Sequence, residues 1–291
     1  MSETQAPTEK KKVVLIVAVI AVVFAIVYVL GALAFGKSDG RVAVTGAPID
    51  HPNSVSVTAI PIGIDPATEQ VTVRMLFKPT GSWADENGNP SSNIVVHVNS
   101  YSGARSLKFP KGEPIAAQEI RLFAAGNWSE YPFDNYTGDL EMTAFNGSSS
   151  TLTPVPIELS GESGFAGWSL AVNYPDHTTH PNIASVGFEL QRPFVSQGFA
   201  LLALAMFVLI GIYAASVAIA VGSRRRRIEP ALLGWGAALI FALPALRGAM
   251  PGVPPVGAWI DILVFLWAML VAIVSYLIVV STWVRNSPPP A

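Results

Sequence analysis

The forty residues "FELQRPFVSQGFALLALAMFVLIGIYAASVAIAVGSRRRR", Phe188–Arg227, carry two architectures in one run. They begin on the end of an alternating, strand-like segment, "ASVGFEL" (Ala184–Leu190), and pass through "QRPF" into an uncharged apolar stretch, Phe199–Val221. At about 1.5 Å per residue such a stretch crosses a bilayer core of roughly 30 Å as a helix. It stops at Arg224–Arg227, which the positive-inside rule assigns to the cytoplasm. A β-domain outside the membrane is thus expected to lead straight into a membrane helix.

Downstream, Pro230 suits the first turn of a new helix, where its missing N–H costs nothing, and a span is expected over 231–246. Pro244 should bend its outer end. The hairpin "GAMPGVPPVG" within 247–258 leads to a further span, 259–282, opened by Trp259 and Asp261. Upstream, the uncharged run Val13–Phe35 follows Lys10–Lys12. It is longer than the roughly 7–15 residues of a signal-peptide core, which favours a retained anchor; the alternative is a signal removed after Ala34. Lys10–Lys12, Arg224–Arg227 and Arg285 then share one side. The expected organisation is a cytoplasmic tail (1–12), an anchor (13–35), an extracytoplasmic domain (37–197) and spans at 199–221, 231–246 and 259–282. A basic cytoplasmic loop (222–230) and tail (283–291) complete it.

Composition agrees. Of 291 residues, 51% are hydrophobic and 13% charged, against about 25% charged in a soluble domain. The net charge of −2, with the dense basic runs limited to Lys10–Lys12 and Arg224–Arg227 rather than spread over a domain face, sets a nucleic-acid partner aside. With no cysteine, disulfides and thiolate chemistry are excluded too. The polar side chains within the spans are mainly Tyr28, Tyr213, Ser216, Ser275 and Tyr276, not the buried ionisable groups of a transport path. Arg247 and Asp261 either pair across the hairpin or act separately, the arginine reaching to headgroups and the aspartate favouring a helix N-terminus.

Region 37–197 shows no helical period. Short alternating runs recur between Gly, Pro, Asn and Asp: Val55–Ile64, Gln70–Phe77, Asn93–Tyr101, Ala116–Phe123, Gly138–Phe145, Val155–Ser160, Gly167–Tyr174 and Ala184–Leu190. They predict one antiparallel β-sandwich. The fold class is therefore a membrane α-helical bundle of four spans with an inserted all-β extracytoplasmic domain.

The densest polar and aromatic stretch is "NWSEYPFDNYTGDLEM", Asn127–Met142. In "GDLEMTAF", Leu140, Met142 and Ala144 share one strand face and Asp139, Glu141 and Thr143 the other, so the two acids read as the wet side of a strand. Pro132 sets a turn, Asp134 is expected to accept backbone N–H bonds there, and Tyr131, Phe133 and Tyr136 to anchor the corner to the core. Catalysis by Asp134, Asp139 or Glu141, as in an exported hydrolase, is a lesser alternative.

"WSEYPFDNY", the N-terminal anchor, the β-rich segment and the spans around "ALRGAMPGVPPVGAWID" together resemble the actinobacterial membrane proteins grouped as domain-of-unknown-function family 4436. The resemblance covers nearly the whole chain, implies an integral membrane protein, and supplies no catalytic residues to carry over. A second likeness is to pentameric ligand-gated channels, whose sandwich carries an aromatic-Pro-Phe-Asp corner, matched by Tyr131, Pro132, Phe133 and Asp134, and also runs into membrane helices. This chain departs from them in having no cysteines flanking the corner, an extra anchor before the sandwich, three spans after it, and an apolar "ALLGWGAALIFALPAL" in the pore-lining position.

"YPDHTTHPN" places Asp176, His177 and His180 in one loop, a weak metal candidate, because a tight site needs three or four ligands and His51 or His97 would have to arrive from elsewhere. The triplets at Asn127, Asn135 and Asn146 fit the N-glycosylation pattern. No phosphate loop, nucleophile elbow or metalloprotease helix is present in the sequence. The expectation is a non-enzymatic plasma-membrane protein without cofactor, both termini cytoplasmic, presenting a sandwich as a binding module or accessory subunit of an envelope complex. Its partners would be lipid and other envelope membrane proteins; a homo-oligomeric channel or transporter is the alternative. The candidate partner surfaces are the corner (Tyr131, Pro132, Phe133, Asp134, Tyr136) and the hairpin (Arg247, Met250, Asp261), which topology puts on the same side.

Overall fold

The computed structural model describes residues 29, 42–45, 51–147, 153–161, 167–174, 182–226 and 228–286. The anchor expected at 13–35, apart from Val29, and the loop with Asp176, His177 and His180 lie outside them. The strands are β1 (Val42–Thr45), β2 (Val55–Asp65), β3 (Gln70–Pro79), β4 (Ile94–Val98), β5 (Arg105–Phe109), β6 (Gln118–Phe123), β7 (Ala125–Gly126), β8 (Asn135–Asn146), β9 (Thr153–Pro154), β10 (Ile157–Gly161), β11 (Ser169–Asn173) and β12 (Ile183–Gln191). Three helices follow: α1 (Phe194–Gly222), α2 (Ala231–Gly248) and α3 (Leu266–Asn286), the last preceded by a π-helical turn at Asp261–Phe265. All eight predicted runs are strands, while β1, β5, β7 and β9, each five residues or fewer, were not expected.

The strands form two facing sheets. The larger is ordered β1-β11-β12-β8-β4-β5, with β7 and β9 also on β8, and the smaller is β10-β2-β3-β6. Alternation explains the layering: Val71, Val73, Met75 and Phe77 of β3 point inward, as do Leu140, Met142 and Ala144 of β8. Asp139 and Glu141 lie exposed on the other face of β8, as their spacing predicts. The expectation of an antiparallel sandwich needs correction at two edges. There β1 runs parallel to β11, and β10 parallel to β2. Parallel neighbours need long connections, and both pairs join strands about a hundred or more residues apart, which local alternation cannot reveal.

The three helices are long and apolar enough to cross a membrane; of the four predicted spans, the first lies outside the described residues. α1 buries Ser196, Ala200, Phe207, Gly211, Ala214, Ala218 and Val221, one stripe at steps of three, four or seven residues, against Ala268, Ala272, Ser275 and Val279 of α3. Small residues permit the close approach: a Cβ at Gly211 would sit 3.7 Å from the Ala268 Cα. Phe207 and Phe265 meet edge to face at 5.6 Å between ring centroids, and Tyr213 meets Trp235 of α2 at 5.6 Å. α1 begins at Phe194, five residues before the predicted start, because Pro193 occupies its N-cap.

Candidate functional site

β12 ends at Gln191 and α1 starts at Phe194, so Arg192 stands at the step from sheet to helix. Only 3% of Arg192 is exposed. An ionised group buried to that degree needs a close counter-charge. Asp134 provides one, accepting from Arg192 Nε at 2.5 Å on Oδ1 and from Nη2 at 3.1 Å on Oδ2. Two parallel bonds of this kind fix orientation as well as charge. The rings of Tyr131 and Trp168 cover the guanidinium, with centroids 4.5 and 4.4 Å from its carbon. Tyr136 donates its hydroxyl proton to Asp134 Oδ2 at 3.2 Å and meets Trp168 edge to face.

This cluster sits on the helix hairpin. Tyr131 donates to the carbonyl of Pro251 at 2.9 Å, and Arg192 Nη1 approaches the same oxygen at 3.5 Å. Tyr131 packs with Ala200, Phe207, Leu243 and Met250, so it belongs to the helix core rather than to the sandwich core. Gly252 has φ +68°, and a Cβ there would lie 2.3 Å from Arg192 Nη1, so the seat requires glycine. Burial pushes the Tyr131 phenol up to about 12, an effect the Arg192 charge opposes and the Asp134 charge reinforces. Burial, and then the carboxylate of Asp134, raise Tyr136 as well. Both phenols therefore stay protonated near neutral pH and serve as donors.

A second ion pair closes the hairpin. Arg247 Nε and Nη2 reach Asp261 Oδ1 and Oδ2 at 3.1 and 2.8 Å, Nη2 also donates to the Pro255 carbonyl, and the Gly257 N–H donates to Asp261 Oδ2. Of the two readings of these residues, pairing is the observed one. The π-helical turn starts at Asp261 itself.

The corner and the hairpin thus touch, but through residues whose surfaces are spent inside the chain. Tyr131, Pro132, Asp134, Tyr136, Met250 and Asp261 are buried, and Arg247 is partly so. Phe133 does not anchor the corner as predicted: it is 59% exposed, because Tyr131 turns to the helices and Tyr136 to the sandwich core. Among the described residues no backbone N–H reaches Asp134 either; Arg192 and Tyr136 take its oxygens. Asn127 instead caps the short turn at Trp128–Glu130, accepting from the Ser129 N–H. Among the described residues no group of three or more His, Asp or Glu can hold a metal ion.

Sequence reasoning missed Arg192, Trp168 and Pro251. The signal for Arg192 was visible: a lone arginine between a strand and an apolar run needs either solvent or a carboxylate. Which carboxylate it meets was set by a fold that brings residues 134 and 192 together.

Residues 45–190 match the family described as a domain of unknown function, DUF4436, and residues 192–286 match a second described in the same words, DUF8686. The matched regions abut at Gln191, the end of β12, so the Arg192–Asp134 pair and the Tyr131–Pro251 bond each tie one region to the other. A search of the curated proteins returned no match.

Proposed function

The chain belongs to the DUF4436 family, and we propose that it is a non-enzymatic integral membrane protein holding its β-sandwich at the outer face of the cytoplasmic membrane. There it serves as a binding module or accessory subunit of a cell-envelope complex. The observation that carries this reading is the seam between sandwich and helices. Its buried arginine, aspartate and aromatics are all engaged in joining the two parts. A buried ion pair costs desolvation that an apolar contact avoids, and what it adds is a defined orientation. A domain that must be presented at one height and angle above a membrane needs that orientation. Arg224–Arg226 and Arg285 lie at the helix ends away from the sandwich, in keeping with a cytoplasmic position. Many large apolar side chains on the helices, among them Leu209, Ile219, Phe241 and Leu263, face outward, where lipid or a partner's helices can cover them.

The test is the particle mass and composition of the protein purified in mild detergent at native expression level. Stoichiometric foreign membrane subunits support the accessory role. A symmetric homo-oligomer with no foreign subunit refutes it and favours the second reading, a homo-oligomeric channel. One feature favours that alternative: α2 buries only Leu243 fully, which leaves most of its surface open to another copy. Against it stands the apolar character of that surface. Cysteines introduced along residues 231–246 that are uniformly inaccessible to water-soluble reagents would eliminate the channel.

A further inference from the structure

On the outer face of the larger sheet a groove of about 770 Å³ crosses β8, β12 and β11. Its volume lies within the roughly 300–1,000 Å³ of small-molecule sites. Two rows of paired residues form the floor: Asn173, Gly187 and Asp139 in one, Ala171, Glu189 and Thr137 in the next. Gly187 keeps the middle of the first row low, since a Cβ there would stand 3.5 Å from Asp139 Oδ1 and 3.7 Å from the Asn173 carbonyl. Phe123, 51% exposed, forms one wall and leans on exposed Tyr101 at 6.3 Å between ring centroids.

The hydrogen-bonding inventory of the groove is one-sided. Asp139 and Glu189 occupy diagonal positions on neighbouring strands, roughly 7–8 Å apart at Cα. Among the described residues the Asp139 carboxylate has no hydrogen-bond or ion-pair partner, while Glu189 accepts only from Gln191. The Asn99 amide is already spent on the Asp139 carbonyl and the Glu141 N–H, and the Ser100 hydroxyl on the Gly103 carbonyl. Among the described residues no Lys, Arg or His lines the groove. Ionised carboxylates only accept hydrogen bonds, so the site suits a ligand that donates them and carries positive charge. A neutral sugar would need donors in return, and among the described side chains the free donors are the Thr137 hydroxyl and the Asn173 amide. A metal ion would need a third strong ligand, and the described residues hold no such group. An exposed aromatic wall adds attraction for an organic cation. The domain's field acts in the same sense, because residues 51–192 contain seven Lys or Arg against fourteen Asp or Glu.

We propose that this groove binds a small organic cation carrying ammonium groups, with Asp139 and Glu189 as counter-charges and Phe123 as the aromatic wall. The assignment rests on reading the sandwich as a binding module and names the chemistry of what it binds. The experiment is calorimetric titration of the full chain, in a non-ionic detergent, with spermidine, alongside sucrose and calcium chloride. Spermidine should give a saturable heat, the other two none. Asp139→Asn and Glu189→Gln should each weaken binding about tenfold, with Phe123→Ala weakening it less. All three positions are at least partly exposed, so circular dichroism of the variants should match the parent. No spermidine heat, undiminished affinity in the doubly neutralised variant, or binding of sucrose in place of spermidine overturns the proposal. Those outcomes leave the subunit mass measurement untouched, so failure of the groove and failure of the accessory role are separate results.

Discussion

Replacing Asp134 with alanine removes the one counter-charge that the described residues place in contact with an arginine that is 3% exposed. Arg192 would keep the rings of Tyr131 and Trp168, each contributing about 0.5–2 kcal/mol, and the long approach to Pro251, but no anion. Breaking a buried pair from one side costs about 3–5 kcal/mol, and the Tyr136 hydroxyl would also lose its acceptor. The expected loss for Asp134→Ala is thus about 4 kcal/mol, large against the roughly 5–15 kcal/mol of a typical folded protein. Arg192→Met should cost about as much, since it strands Asp134 with a single phenol donor. The double variant strands no charge and should lose far less than the sum of the two. The assay is denaturant unfolding of the full chain in micelles, followed by tryptophan fluorescence, as a double-mutant cycle. Additivity within about 0.5 kcal/mol would mean that the pair does not hold the seam, and the reasoning would be wrong.

Three further outcomes are expected. Because the folded Tyr131 holds its proton to about pH 12 while the unfolded phenol releases it near the ordinary 10.0, the unfolded state loses protons first. Stability attributable to this group is therefore whole below pH 10.0 and falls as the pH rises towards 12; in Tyr131→Phe that part of the decline should be absent. Gly138→Ala should destabilise the sandwich by about 1–3 kcal/mol, because its Cβ would meet the Phe123 carbonyl at 2.4 Å and the Phe188 ring at 2.5 Å. An unchanged melting temperature would contradict that packing. Arg247→Met leaves Asp261, 5% exposed, with the Gly257 N–H as its one remaining partner among the described residues, and should speed hydrogen exchange across 248–260 while sparing the sandwich strands.

Much of the architecture was legible because it rests on local periodicity. The alternation in Gln70–Phe77 and Gly138–Phe145 is a period of two, and burying one face of each strand requires nothing beyond it. The helices after Arg192 were legible for a related reason: an apolar run of sufficient length has few soluble alternatives. The wet acids at Asp139 and Glu141 followed from the same alternation.

What the sequence could not determine was which distant groups meet. Composition named Arg192, Asp134, Tyr131 and Trp168 only as separate residues, and β12 and β8 had to pair before Leu190 could stand opposite Tyr136 and bring Arg192 to Asp134. The corner's partner was likewise a tertiary outcome, because Tyr131 could turn to the sandwich or to the hairpin, and the Pro251 carbonyl 120 residues away decided it. The parallel edges at β1 and β10 and the groove between Asp139 and Glu189 have the same origin. Periodicity is a property of neighbours along the chain and dictates which face of an element is buried. Charge pairing, seats and grooves depend on the register between elements, which only the packed structure sets.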